Sequence, residues 1–79
     1  MLTCGAQITA ARGLVGISRA ELSKACGVHM NTLTTMEGKG LEQLDSLAKT
    51  VAKVQQALEA LGVEFLNHGQ PGVRIRART

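Results

Sequence analysis

Apolar residues recur at intervals of three and four along most of the chain, and at intervals of two only near its end. Within residues 3–15, Ile8, Ala11, Leu14 and Val15 fall at helical spacing, with Thr3 or Cys4 at the start. Gly13 is a poor interior residue for that helix, costing about 1 kcal/mol against Ala. Gly16 is placed to stop it in a left-handed conformation.

Ser18 opens the next helix, and Glu21 completes a capping box in which each side chain satisfies the other residue's free N–H. Leu22, Ala25 and Cys26 are expected on its buried face, with both Cys4 and Cys26 structural. Gly27 ends it, and Val28 is expected to plug the turn. His29 takes the cap position of a third helix over Met30 to Glu37, where Ser or Thr is usual. Leu22, Ala25, Cys26, Val28, Leu33 and Met36 form the predicted cluster that locks these two helices together. At about 100° per residue, Leu33 and Met36 then point inward, Asn31, Thr34 and Thr35 point outward, and Met30 sits on the flank.

After Gly38-Lys39-Gly40, a long stripe of Leu41, Leu44, Leu47, Ala48, Val51, Val54, Leu58 and Leu61 reads as helical throughout. Ser46 and Thr50 both suit a cap, so one long helix or a short one with a break near Thr50 fits the pattern equally. Gly62 ends the stripe. Val63-Glu64-Phe65-Leu66 and Val73-Arg74-Ile75-Arg76 then flank a turn-rich segment through His68, which predicts a small hairpin. Arg74, Arg76 and Arg78 alternate with Val73, Ile75 and Ala77, giving either a solvated strand edge, a basic strip for phosphates, or an edge for another chain. A two-stranded hairpin is marginal alone, so it is expected to pack on the rest of the chain or on a partner.

Composition narrows the function classes. With 79 residues the chain makes one small domain, short of what a large catalytic cleft needs, and no nucleophile, base or metal cluster is assembled. An enzyme is not expected, nor any cofactor, metal or small-molecule ligand. One Phe and no Tyr or Trp leave the core to Leu, Val, Ile, Ala and Met. The net charge of +3 is uneven, with basic excess at both ends and acidic excess through residues 41–72. Such a balance permits a polyanionic partner without demanding one. Cys4 and Cys26 lack the close thiol and imidazole neighbours of a zinc site, and His29 and His68 are expected in structural or solvated roles. No signal peptide is evident and no apolar run nears the roughly 20 residues of a membrane span, so a cytoplasmic setting without membrane contact is expected.

The residues also resemble a known family. Gln7-Ile8-Thr9-Ala10-Ala11-Arg12, Ala20-Glu21-Leu22, Gly27-Val28, Leu33 and Met36-Glu37-Gly38-Lys39 look like the Cro and phage-repressor (XRE) type of helix-turn-helix domain over residues 6–61. Gly62-Val63-Glu64-Phe65 with Gly72-Val73-Arg74-Ile75-Arg76 is similar to the ending of a subgroup of small single-domain regulators. The resemblance implies an all-α, lambda-repressor-like bundle of four to five helices over residues 1–62, with the hairpin and basic tail of residues 63–79 packed on it. It implies a repressor-like regulator that binds operator DNA as a homodimer through helix three, with Arg19, His29, Met30, Asn31, Thr34, Thr35 and Lys39 as the contact set. It also implies an internal ion pair between Arg12 and Glu37, and a mobile genetic element as the protein's home.

The sequence departs from the family in one respect. The outward face of helix three carries none of the Gln, Arg or Lys common there, so phosphate contact falls to Arg19, Lys24, Lys39 and either Lys49 or Lys53. A rival reading follows: an antiactivator that docks this neutral face on a transcriptional activator protein and ignores DNA, since interface centres are poor in charge and Met adapts to its surroundings.

Overall fold

The computed structural model describes residues 1–45, 48–67 and 70–75. Among them, four helices, α1 (Gly5–Val15), α2 (Arg19–Cys26), α3 (Met30–Gly38) and α4 (Ala48–Ala60), precede an antiparallel hairpin of β1 (Val63–Leu66) and β2 (Gly72–Ile75). Ser46, Leu47, His68, Arg76, Ala77 and Arg78, which entered the sequence reading as cap, core, loop and strand residues, lie outside the described residues.

Local chemistry explains the helix ends. Cys4 is the extended N-cap of α1, and Gly16 closes that helix at φ 72°. At α2 the Ser18 Oγ accepts from the Glu21 N–H at 3.0 Å, while Glu21 accepts from the Ser18 N–H at 2.9 Å. Gly27 ends α2 at φ 73°, a conformation that costs a side-chain-bearing residue more. The helices close around Ile8, Leu22, Leu33, Met36, Val54, Leu58 and Val63, all essentially excluded from solvent.

Three expectations are corrected. The stripe after Gly40 is not helical from its start: Leu41 is 77% exposed and α4 begins only at Ala48. Gly40, Gln43 and Leu44 turn backbone groups to the start of α1 instead. The Ala6 N–H donates to the Gly40 carbonyl at 2.8 Å, the Leu44 N–H donates to the Thr3 carbonyl at 2.8 Å, and Gln43 bridges to Cys4. Satisfying a free N–H in the first turn of α1 outweighs the apolar period there. Secondly, Ala25 is exposed and Cys26 only half-buried against the core. The inward stripe of α2 runs through Arg19, Leu22, Ser23 and Cys26, because Ser23 turns in to donate to the Val28 carbonyl at 2.6 Å. Thirdly, Leu14 is 48% exposed, although it stands only about 60° around α1 from buried Ala11.

Two residues of α1 that look ordinary in the sequence set its position. A Cβ on Gly5 would lie 1.9 Å from the Met36 carbonyl oxygen, so only glycine lets α1 approach α3 this closely. Gln7 is 2% exposed and fully bonded. Its Oε1 accepts from the Thr3 and Cys4 N–H groups at 2.8 and 3.2 Å, and its Nε2 donates to the Leu66 and Gly72 carbonyls at 3.3 and 3.1 Å. One amide thus caps α1 and pins the turn end of the hairpin, whose Val63 and Phe65 enter the core. On the hairpin's other face Arg74 Nε donates to Glu64 Oε1 at 2.8 Å, across the Glu64–Arg74 pair of the register.

Glycine contacts set up a paired test. Gly5→Ala forces the α1–α3 contact apart and is expected to cost about 2–3 kcal/mol, whereas Gly13→Ala, with nothing within 4 Å of its added Cβ, gains about 0.5–1 kcal/mol. Thermal melts of the two variants check the contrast, and similar Tm values would refute the close approach.

Candidate functional site

The candidate site is the outward face of α3, and its rigidity is built from below. His29 caps the helix: the Asn31 N–H donates to His29 Nδ1 at 3.1 Å, which leaves the imidazole proton on Nε2 at the surface. Leu33 and Met36 are buried on the underside, 0% and 1% exposed. Ser23 holds the preceding turn through the Val28 carbonyl.

The last turn of α3 is tied down by charge. Glu37 has a side chain only 4% exposed, and three residues from two other helices converge on it. Arg12 donates from Nη2 to Oε1 at 2.8 Å and from Nε to Oε2 at 3.0 Å, a bidentate pair. Arg19 repeats the fork at 3.3 Å for each bond, and Thr9 Oγ1 donates to Oε1 at 2.9 Å. Burial pushes the Glu37 carboxyl up, but the hydrogen bonds from Arg12, Arg19 and Thr9, with the charge of Arg12, outweigh it and hold the group below the usual carboxylate range. The bond to Glu37 raises Arg12 in turn, against a smaller opposing effect of its own burial.

Two guanidinium groups on one carboxylate leave a net positive charge, and it is displayed unevenly. The Arg12 side chain is 18% exposed and that of Arg19 36%. Arg19 therefore presents the excess charge at the rim of the α3 face, and its Nη1 donates to Thr34 Oγ1 at 3.1 Å.

On the outward face Asn31, Thr34 and Thr35 are exposed and Met30 is 42% exposed. Lys39, at the C-cap, donates from Nζ to Asp45 Oδ2 at 3.2 Å, so its charge is locally offset. Of the residues singled out in the sequence, His29, Met30, Asn31, Thr34, Thr35 and Arg19 share this surface, while Lys39 lies at the far end of the helix. Arg12 lies behind Glu37. The sequence reading missed Thr9 and the second role of Arg19. Thr9 stands one turn before Arg12 on α1, a spacing that offers a signal; Arg19 reaches Glu37 only through the tertiary packing of α2 on α3.

Among the described residues no group of three or more His, Cys, Asp and Glu side chains is arranged to hold a metal ion, and no helix is long and apolar enough to cross a membrane. No family model matches the chain, and no curated protein is significantly similar to it.

The cluster gives a stability ranking with a pH signature. Glu37→Ala strands two buried-side arginines and is expected to cost about 3 kcal/mol, while Arg19→Ala, removing the more exposed partner, costs about 1 kcal/mol or less. The folded-state pKa of Glu37 is depressed, so its stabilisation is present above the unfolded value of about 4.3 and is lost as pH falls through the lower folded value. Denaturant melts between about pH 7 and pH 3 should show this loss in the parent and a flatter profile in Glu37→Gln. Equal losses for the two alanine variants would contradict the cluster.

Proposed function

We propose that the chain is a small helix-turn-helix regulator of transcription that occupies duplex DNA with α3. The observation that carries this reading is the clamped, outward-facing helix with Asn31, Thr34 and Thr35 in fixed register and Arg19 held beside them as a cation. An α-helix with short side chains fits the major groove, roughly 12 Å wide, where its side-chain tips meet base edges. Arg19, oriented by Glu37, is placed to meet a phosphate at the groove's rim, and Lys24, Lys49 and Lys53 are exposed for further backbone contact. The resemblance of residues 6–61 to the Cro and phage-repressor family points the same way. Within the cytoplasm the free thiols of Cys4 and Cys26 would stay reduced.

Weak single-site contact favours a homodimer, because two half-sites about one helical turn apart multiply modest affinities. Leu14, Leu61 and Ile75 are exposed together around Val15, next to the hairpin, and supply an apolar patch for a second copy. The reading requires no cofactor, metal or small-molecule ligand.

One observation favours a second reading. The α3 face is uncharged apart from Arg19, and Lys39 is offset by Asp45, a surface that suits docking on a transcriptional activator protein. Anisotropy of a labelled random duplex under increasing salt separates the two. A DNA-binding regulator loses affinity linearly in log–log form, and Arg19→Ala reduces the slope by about one. No affinity at any salt concentration would overturn the DNA reading in favour of the protein partner.

A further inference from the structure

Once α3 is taken as the DNA-facing element, the helix itself restricts what its threonines can say to a base. Thr34 Oγ1 donates to the Met30 carbonyl at 2.9 Å, and Thr35 Oγ1 donates to the Asn31 carbonyl at 3.0 Å. A hydroxyl has one proton. Neither threonine therefore has a donor left for a base edge while the helix keeps these bonds. Thr34 Oγ1 also accepts from Arg19, which occupies one of its lone pairs.

The same bonds dictate what faces outward. With the oxygen drawn against the preceding turn, the Cγ2 methyl takes another staggered position, away from the carbonyl. Met30 adds a thioether methyl on the flank, 42% exposed. The central face of α3 thus carries three methyl-bearing side chains and one amide, Asn31, with the His29 imidazole at its N-terminal edge. The major groove of DNA offers a matching apolar group on one base alone, the C5-methyl of thymine.

We infer that α3 selects its site by thymine methyl groups, through Thr34, Thr35 and Met30, with Asn31 hydrogen-bonded to a neighbouring adenine. This rests on the DNA-binding reading and deepens it by naming the feature of the base pair that is read. The threonines act here as methyl carriers, and their hydroxyls serve the helix.

Selection from a randomised duplex library, followed by replacement of each thymine of the selected site by deoxyuridine, tests the inference, because uracil keeps every hydrogen-bonding group and lacks only the methyl. Binding should fall about fourfold at each contacted thymine. Thr35→Val, which keeps the methyl and drops the hydroxyl, should retain the uracil penalty; Thr35→Ser, which does the reverse, should lose it at one position. Both substitutions are at an exposed position, and circular dichroism confirms that each variant is folded. A selected duplex indifferent to every uracil replacement, or a penalty kept in Thr35→Ser and lost in Thr35→Val, overturns methyl readout and leaves DNA binding standing. Failure of the library to yield any bound duplex removes both.

Discussion

Glu37 can sit buried at the end of α3 only because Thr9, Arg12 and Arg19 surround its carboxylate with five hydrogen bonds, each between 2.8 and 3.3 Å. An ionised carboxylate stripped of water and left unpartnered costs several kcal/mol, so the three helices that supply these groups are held in one arrangement or the cluster fails. Much of the Coulomb gain goes to offset desolvation. The cluster's larger effect is positional: apolar side chains such as Leu33 and Met36 would tolerate small rotations of α3, whereas two guanidinium forks on one carboxylate would not. Register along α3 decides which side chains face outward, so the candidate face depends on this interaction more than on any residue within the face.

A second constraint acts at the other end of the contact. Gly5 lets the start of α1 touch the Met36 carbonyl region, one residue before Glu37. Gln7, in the same first turn, joins that start to the hairpin through the Leu66 and Gly72 carbonyls. The hairpin is thereby coupled to α3 by way of α1. A chain with a single Phe and no Trp or Tyr has few large side chains to define its core, and these backbone-directed polar contacts supply definition that bulk alone would not.

The sequence discloses local structure here far better than it discloses partnership. Ser18 with Glu21, Gly16 and Gly27 are legible because caps and left-handed glycines act within a few residues of themselves. The underside of α3 is legible because Leu33 and Met36 follow the helical period. Residues 40–44 are not, since their apolar spacing is helical while backbone groups of Gly40, Gln43 and Leu44 find partners on Ala6, Cys4 and Thr3, far away in the chain. Ala25 lost its expected place for a similar reason: the Ser23 hydroxyl, paired with Val28, turned the stripe of α2 by one position. Arg19 looked like a free phosphate contact, and only the packing of α2 on α3 shows that Glu37 already holds it.

These constraints produce a surface that is rigid, small-residued and almost neutral, with one cation at its rim whose orientation is set from inside. On the proposed DNA-binding reading, affinity would come from shape, from a few oriented groups and from repetition across the proposed dimer, which would give Arg19 more weight than its single charge suggests. The most direct measurement is an amide NMR titration of the protein with its selected duplex, following residues 19–39. The account predicts shifts at Arg19, Met30, Asn31, Thr34 and Thr35, with the amides of Leu33, Met36 and Glu37 little moved. Unperturbed α3 amides with shifts elsewhere on the molecule, or loss of the Glu37 environment on binding, would contradict it.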